Sequence, residues 1–374
     1  MIKCQRDKFM LSRKVAYLNC AYMSPMLKKV ENAGKKGIAA KRKPYKVKPQ
    51  DFFTDSEALR GQFAQLINCN EPNRNVIIPS VSYGMANVAN NLHNRKGKIL
   101  IAKDQFPSNK YPWDDFKIET ISKPKDASQS WTEAFLDQIN LNVTAVCLSH
   151  VHWVDGSLFD LKAIRDKTKE VGAALIIDGT QSVGALPFDV QSIKPDALIV
   201  AGYKWLFGPY GLGMAYYGEM FDNGKPIERN WINKKGSEDF GGLVNYTEEY
   251  QTGALKYEVG EHSNFILVPM LLEAIRQINK WTPQEIQVYT QQLCAEPVDK
   301  LIEAGYQIDP HDRRASHLFG VRFGDKMDKE KIKQSLHQHR VEVSFRGDAI
   351  RVAPHLYNDV RDLNKLIKAL TFTK

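Results

Sequence analysis

Short apolar runs alternate with helix-like segments between residues 75 and 218, and this alternation limits the chain to a small set of folds. Each run has roughly four to eight apolar-rich residues with β-branched members, which is typical of a strand buried on both faces. Residues 83–94 and 158–172 repeat apolar side chains at three- and four-residue spacing and predict helices. Together these patterns predict a mostly parallel sheet covered by helices. The predicted strands are 75–80, 98–103, 144–153, 173–180, 196–205 and 211–217.

After about residue 266 the pattern changes to long amphipathic helices and short strands. Two helices are predicted first, then strands at LFGVRF, VEVSF and AIRVA, and finally the helix DVRDLNKLIKAL. This order is typical of an α+β unit. We therefore predict a large domain over residues 22–265 and a small domain made of residues 1–21 and 266–374.

Composition excludes several classes of protein. No window approaches the roughly 20 apolar residues of a membrane helix, and the first residues lack the apolar core of a secretory signal. The five cysteines are scattered without CxxC spacing, so neither a disulfide framework nor a zinc site is indicated. We expect a cytoplasmic protein with no membrane partner.

Nine lysines and arginines crowd residues 28–48 of a chain whose net charge is +9. Clustered basic side chains can neutralise nucleic-acid phosphates. Alternatively, they form a solvated helix and loop, or a rim that attracts anionic substrates. No interleaved aromatic residues or nucleic-acid-binding motif accompany the stretch, so we favour the second interpretation and predict no nucleic-acid partner.

Polar residues end several of the predicted strands, namely Ser80 and Ser82, His152, Asp178 and Lys204. Ligands of such sheets bind beyond the carboxyl ends of the strands, so these side chains are expected to share one cleft. Desolvation lowers the pKa of a lysine buried there, and its uncharged amine can hold a carbonyl cofactor. A pyridine ring that acts as an electron sink needs a carboxylate on its nitrogen. A lone strand-end acid or lysine is usually a salt bridge or cap, but here the pair comes with glycine-rich turns.

The segment that contains this pair, IIDGTQSVGALPFDVQSIKPDALIVAGYKWLFGPYGLG, resembles the signature of class V aminotransferases. These are pyridoxal-phosphate (PLP) enzymes of fold type I, the aspartate-aminotransferase-like fold, and the group also includes cysteine desulfurases and kynureninases. The resemblance extends from YLNCAYMSP to IRVAPHLYN. It implies an α/β fold with a large, mostly parallel sheet domain, a smaller C-terminal α+β domain and a homodimer. It also implies that Lys204 forms the Schiff base, Asp178 pairs with the pyridinium nitrogen and Gln181 hydrogen-bonds the ring hydroxyl.

The turn IIPSVSYGMANVANNL is the expected phosphate site, because a helix that begins near Ser82 presents free N–H groups to an anion. From the residues alone, an ordinary helix cap by Ser80 or Ser82 is the alternative. The similarity to the family's phosphate-binding turn favours the anion site, with Ser82 and Tyr83 binding the cofactor and Gly84 allowing close backbone approach. Tyr203 resembles the kynureninase tyrosine that reaches the phosphate.

The resemblance also assigns side chains to the face and the substrate end of the cofactor. Phe106, in an FPSN motif similar to the FPTD of kynureninases, occupies the place of the stacking residue, although a lone Phe is often a core residue. Asn109 is expected to approach the cofactor. Arg351 is similar to the arginine that binds the substrate α-carboxylate with its guanidinium fork, the alternative being an exposed strand arginine. Arg346 is a further candidate, for a second acidic group.

Three histidines lie in motifs of their own. His150 and His152 alternate along a strand and share a face, yet no third metal ligand is apparent, so we predict no metal and a cleft-lining or structural role for His152. In YEVGEHSNF, where many relatives present a threonine to the partner's phosphate, His262 and Ser263 stand instead.

These residues serve transamination, β-elimination and epimerisation alike. The segment just before Arg351 contains no cysteine, and Phe106 replaces the histidine of desulfurases, which argues against persulfide-forming desulfuration. We therefore predict a PLP-dependent aminotransferase that acts on the α-amine of an amino acid. The alternatives are a Cβ lyase of the kynureninase or cysteine/selenocysteine-lyase type, an epimerase, and a catalytically silent PLP-fold binding protein.

Overall fold

The computed structural model describes residues 2–93, 95–124, 129–324 and 327–371. The helices within these ranges are α1 (Lys28–Ala40), α2 (Thr54–Leu66), α3 (Val81–Leu92), α4 (Trp131–Leu136), α5 (Leu161–Val171), α6 (Val190–Ile193), α7 (Leu267–Trp281), α8 (Pro283–Glu303), α9 (Lys329–Gln338) and α10 (Val360–Thr371). The strands are β1 (Ala16–Tyr17), β2 (Asn75–Ile78), β3 (Lys98–Ala102), β4 (Lys117–Ile121), β5 (Val143–Ser149), β6 (Ala174–Asp178), β7 (Ala197–Ala201), β8 (Gly213–Tyr217), β9 (Phe319–Arg322), β10 (Val341–Glu342), β11 (Ser344–Arg346) and β12 (Ala349–Val352).

A seven-stranded sheet has the order β2–β8–β7–β6–β5–β3–β4. Strands β7, β6, β5, β3 and β4 run parallel, and β8 is antiparallel to both of its neighbours. All six strands predicted from the apolar runs belong to this sheet, so the prediction of a mostly parallel sheet is confirmed. The predicted helices are also confirmed as α3 and α5, although residue 94, the predicted end of the first, lies outside the described residues.

Apolar cores cover both faces of the sheet. In β6, Leu175 and Ile177 enter one core, while Ala174 and Ile176 enter a second core that contains α3 residues. Every residue of β6 is buried, as a continuous apolar run requires. Strand β4 was not predicted, because its KIETI sequence lies at the sheet edge and most of its residues are not buried.

The C-terminal part has the predicted mixture of helices and short strands. Strands β11, β12 and β9 form an antiparallel sheet, and α10 packs against α8 and α9. The N-terminal strand β1 pairs with β10, and Asn19 bridges to Ala353. Helix α7 packs against α1 and α2. The division into domains at residues 22 and 265 stays a prediction.

The basic stretch of residues 28–48 forms α1 and the turns that follow it. All nine of its lysines and arginines are exposed, and several of them line an open groove of about 810 Å³ beside α7. Such exposed charges are screened by salt and add little to stability. In the described part of the chain, no helix combines the length and the apolar character needed to cross a membrane.

Candidate active site

A cavity of about 200 Å³ lies at the carboxyl ends of β6 and β7. It brings together Ser80, Ser82, Asp178 and Lys204, as the strand-end positions predicted. The other described residues that line it are Pro79, Val81, Gln105, Phe106, Ser108, Ser149, Trp153, Thr180, Gln181, Ala201, Tyr203, Tyr210, Gly211 and Leu212. Sequence reasoning missed Thr180, Tyr210 and Trp153, although Trp153 ends the predicted strand 144–153.

Asp178 is the last residue of β6 and is buried. Its Oδ1 accepts a hydrogen bond from the backbone N–H of Thr180 at 3.0 Å. Burial raises the pKa of the Asp178 carboxyl, and the hydrogen bonds from Thr180 and the charge of Lys204 oppose this shift. A cationic group bound against this carboxylate would offset the desolvation.

Lys204 follows β7 in a turn that requires glycine. Gly202 donates its N–H to Leu212 O at 2.9 Å, and a Cβ at Gly202 would lie 2.5 Å from that oxygen. Lys204 is only 6% exposed, and its Nζ lies 5.2 Å from the centroid of the Phe106 ring. Burial, followed by the charge of Arg351, lowers the pKa of Lys204 to about 8. The amine therefore loses its proton much closer to neutral pH than the amine of an ordinary lysine.

The expected phosphate turn begins α3. Ser80 caps the helix, because its Oγ accepts a hydrogen bond from the Tyr83 N–H at 3.2 Å, and it also lies 3.0 Å from Ser82 Oγ. The cap alternative therefore holds for Ser80, and Ser82 lines the cavity. The Tyr83 side chain points elsewhere: its hydroxyl donates to Glu228 Oε2 at 3.0 Å, and Tyr83 is not among the described lining residues.

Gly84 has a different role from the one expected. A Cβ at this position would lie 2.7 Å from Ile199 Cγ2 and 3.1 Å from Ile78 Cδ1, both in the sheet beneath α3. Gly84 therefore allows α3 to pack closely on β2 and β7. The expectation that it lets the backbone approach an anion was wrong, because its missing side chain faces the sheet.

Gln181 and Tyr203 line the cavity, and their side chains also contact other residues of the protein. The Gln181 amide donates to Ala21 O at 3.2 Å and accepts from Trp205 Nε1 at 2.8 Å, which fixes its orientation. Tyr203 packs against Tyr210 with ring centroids 4.6 Å apart. The predicted contacts of Gln181 with the ring hydroxyl and of Tyr203 with the phosphate stay predictions.

Two aromatic rings form one wall of the cavity. Phe106 meets Trp153 edge to face, with centroids 5.4 Å apart. Trp153 is held by its Nε1, which donates to Asp104 O at 2.6 Å. Asn109 is buried and not among the described lining residues, and its carbonyl accepts a hydrogen bond from Trp113 Nε1. Its expected approach to the cofactor is therefore not seen in the cavity lining.

Arg351, on β12, is almost fully buried and not an exposed strand arginine. Its Nη1 donates to Trp153 O at 2.9 Å, which fixes the guanidinium beside the aromatic wall. Burial, and then the charge of Arg346, lower the pKa of Arg351 to about 9. Among the described residues, no carboxylate forms an ion pair with either arginine.

The histidines lie outside the cavity. His152 stacks on Trp131 at 5.3 Å, and its Nε2 lies 3.2 Å from Lys103 O, so the cleft-lining role suggested for it was wrong. His150 packs against Phe188. The described residues contain no group of three potential metal-ligating side chains. His262 is buried, with its Nδ1 3.0 Å from Ser56 Oγ in the same chain.

Known proteins resemble this chain in sequence and in fold. The family model described as aminotransferase class-V matches residues 35–369. The chain belongs to the class V aminotransferase family. The uncharacterized aminotransferase YcbU of Bacillus subtilis (strain 168) is 28% identical over 333 residues, which cover 85% of this chain and 84% of that protein. A probable cysteine desulfurase of Staphylococcus epidermidis is 25% identical over 342 residues, which cover 83% and 77% of the two chains.

A solved structure of a C-DES mutant, with glycine covalently linked to its PLP cofactor, aligns with a TM-score of 0.86. The identity is 19%, and the alignment covers 99% of this chain and 100% of that one. This likeness confirms the predicted fold class, α/β fold type I with a mostly parallel central sheet. Family membership confirms the predicted cofactor, pyridoxal phosphate.

The residues present fit this cofactor. The cavity of about 200 Å³ joins a buried acid, Asp178, to a buried lysine, Lys204, whose Nζ forms no hydrogen bond within the described part of the chain. Bound PLP supplies an electron sink for carbanion chemistry. Lys204 would hold its aldehyde, Asp178 its ring nitrogen, and the start of α3 at Ser82 its phosphate.

Substituting Lys204 with methionine is expected to stabilise the cofactor-free protein. The pKa of Lys204 is about 8 when folded and 10.5 ordinarily, so the unfolded chain binds the extra proton between these values. Wild-type stability therefore rises with pH across that window, and the cost of burying the charge is fully present below pH 8. Chemical denaturation at pH 7 should show Lys204→Met more stable by about 3 kcal/mol.

Denaturation at pH 7 and 10.5 separates this effect from a general gain in packing. The difference between Lys204→Met and wild type should shrink towards pH 10.5, where the folded lysine is uncharged and the unfolded lysine is half deprotonated. Lys36→Met, an exposed site on α1, is the control and should change stability by less than about 0.5 kcal/mol. A gain that is the same at both pH values would contradict the assigned cause.

Proposed function

We propose that this PLP-dependent enzyme is an aminotransferase that acts on the α-amine of an amino acid. The observation that carries the amino-acid substrate of this proposal is the position of Arg351: it is buried, has no carboxylate partner among the described residues and lies beside the wall of the cavity that contains Lys204. A guanidinium fork binds a carboxylate in bidentate fashion. An α-amino acid held there by its carboxylate would present its amine and Cα–H to Lys204.

Each residue has one task in the proposed reaction. Arg351 binds the α-carboxylate and orients the Cα–H bond towards the lysine amine. Lys204, whose lowered pKa of about 8 leaves part of its amine uncharged near neutral pH, would remove the Cα proton. Return of that proton to the carbon of the cofactor is the movement that would distinguish transamination. Asp178 would keep a proton on the ring nitrogen of the bound cofactor. Phe106 and Trp153 exclude water from one side of the cavity.

The cysteines of the chain support transamination over sulfur transfer. No cysteine is among the described residues that line the cavity. Cys20 is close enough to Lys204 for an electrostatic interaction, but it is fully buried, and burial raises the pKa of its thiol. A sulfur acceptor reacts as an accessible thiolate, so Cys20 is unsuited to that role. The relatives that are named cysteine desulfurases make a lyase the second candidate.

The proposal includes a small-molecule amino-acid substrate, a cytoplasmic location and a homodimer whose partner subunit completes the site. These parts rest on resemblance to the family. The position of His262 gives the homodimer no direct support, since its side chain contacts Ser56 and lies 3.5 Å from Glu258 within the same chain.

A half-reaction experiment tests the proposal. The holoenzyme is mixed with single amino acids in the absence of a keto acid, and the cofactor spectrum and products are followed. An aminotransferase converts its bound cofactor to the pyridoxamine form once. It releases one molecule of keto acid per active site, with the side chain of the amino acid intact. Repeated turnover that releases pyruvate, alanine, ammonia or sulfide would instead identify a lyase. Lys204→Met is the inactive control.

A further inference from the structure

The hairpin of β11 and β12 places two arginines side by side. Arg351 pairs across the hairpin with Ser344, and Arg346 lies two residues beyond Ser344 on the same strand. Residues i and i+2 of a strand share one face, and directly paired residues project to the same side. Arg346 and Arg351 are therefore diagonal neighbours on one face of the hairpin, a relation that typically separates residues by roughly 7–8 Å.

Trp153 shows where this face lies. The guanidinium carbon of Arg346 is 5.4 Å from the centroid of the Trp153 ring, and that of Arg351 is 5.9 Å from it. Trp153 itself lines the cavity that contains Lys204. Both guanidinium groups are therefore within reach of one small ligand bound beside this ring.

Neither arginine has an anionic partner among the described residues. Arg346 donates from Nη1 to Phe345 O at 2.7 Å, and Arg351 donates to Trp153 O. The Nε atoms of both are buried without a hydrogen-bond partner in the part of the chain that the structure describes. Like charges on neighbouring sheet positions repel each other, and a desolvated cation is costly unless it is paired. Bound anions would offset both costs.

The charges around this end of the cavity are strongly unbalanced. Lys204 adds a third basic group, while Asp178 is the one acidic side chain among the described lining residues. Asp178 is assigned to the ring nitrogen of the cofactor, and the phosphate to the start of α3 near Ser82. A single α-carboxylate would therefore neutralise one arginine and leave the other unpaired.

We propose that Arg346 binds a second anionic group of the substrate, so that the enzyme acts on dicarboxylic amino acids. This inference rests on the proposed aminotransferase function and names its substrate class. Arg351 takes the α-carboxylate, and Arg346 takes the side-chain carboxylate. The cation–π contact with Trp153 holds Arg346 towards the cavity.

Steady-state kinetics of the holoenzyme test the assignment with matched pairs of substrates. L-aspartate is compared with L-asparagine, and L-glutamate with L-glutamine, because each pair differs mainly in side-chain charge. Wild type should prefer the acidic member. Arg346→Gln should lower kcat/KM for the acidic member at least about 30-fold, mainly through KM, and change the neutral member less than about threefold. Arg346→Lys should retain part of the preference, since it keeps the charge.

Two further measurements distinguish binding from a loss of structure. Arg361→Gln, an exposed position on α10, is the control and should leave both kcat/KM values unchanged. Succinate and butyrate, which cannot react, are titrated against the holoenzyme by calorimetry. Succinate should bind at least about 30-fold more tightly to wild type than to Arg346→Gln, while butyrate should bind both equally.

Specific outcomes would overturn the inference. Equal losses for acidic and neutral substrates in Arg346→Gln would show that both arginines hold one carboxylate or that Arg346 is structural. A loss of cofactor affinity would assign Arg346 to the phosphate. Failure of the proposed function is distinguishable: if no amino acid undergoes the half-reaction, succinate titration still reports whether Arg346 binds a second carboxylate.

Discussion

Replacing Lys204 with alanine is expected to lower turnover by about 10³-fold or more, because this side chain both holds the cofactor and moves the Cα proton. Its burial and its pKa of about 8 suit both tasks. Borohydride reduction of the wild-type holoenzyme should place a phosphopyridoxyl group on the peptide that contains Lys204. Peptide mass spectrometry should find that label absent from Lys204→Ala.

The control for this experiment is Lys256, a second buried lysine whose pKa is also lowered by burial. Its Nζ donates to Asp222 O, and it is not among the described residues that line the cavity. Lys256→Gln should therefore keep the label on Lys204. Added methylamine should restore part of the Lys204→Ala rate by supplying the missing amine. Label on any other lysine of the wild type would disprove the assignment of Lys204.

Asp178→Asn is expected to lower kcat by about 10³-fold while leaving the fold and the bound cofactor in place. An amide does not keep the ring nitrogen protonated, so the electron sink weakens. The backbone N–H of Thr180 can still donate to the amide oxygen. Burial raises the pKa of Asp178, so removing the charge costs the empty protein no stability.

Two measurements check this prediction: kcat in the half-reaction, and the ¹⁵N chemical shift of the ring nitrogen in labelled cofactor, which should move to that of an unprotonated pyridine. Asp189→Asn serves as the control. Asp189 caps α6 by accepting from Ser192 N, and asparagine caps a helix equally well. A kcat of Asp178→Asn within tenfold of wild type would show that catalysis does not depend on this carboxylate keeping the ring nitrogen protonated.

The sheet was predictable where its strands are buried on both faces. Strands β5 and β6 are continuous apolar runs because cores cover them on each side, and such runs are visible in a sequence. Strand β4 was missed because its five residues, KIETI, form neither a continuous apolar run nor a regular alternation, and most of them are not buried at the sheet edge.

The two central residues of the site were also predictable from the sequence. Asp178 and Lys204 were identified from their strand-end positions and the glycines beside them, and the structure places both in one cavity. The directions of Tyr83 and His152 were not predictable, because a side chain next to a strand end can turn to either side. Contacts with Glu228 and Trp131, both distant along the chain, decided them.

By itself, the sequence determined the mostly parallel sheet, the positions of its buried strands along the chain and the presence of an acid and a lysine at strand ends. Periodicity and strand-end position are properties of consecutive residues, so they need no knowledge of the fold. Only the tertiary structure decided that Trp153 meets Arg346 and Arg351, which follow it by almost 200 residues. Their meeting depends on how the C-terminal hairpin packs against the segment after β5, and that packing is set by contacts between distant parts of the chain.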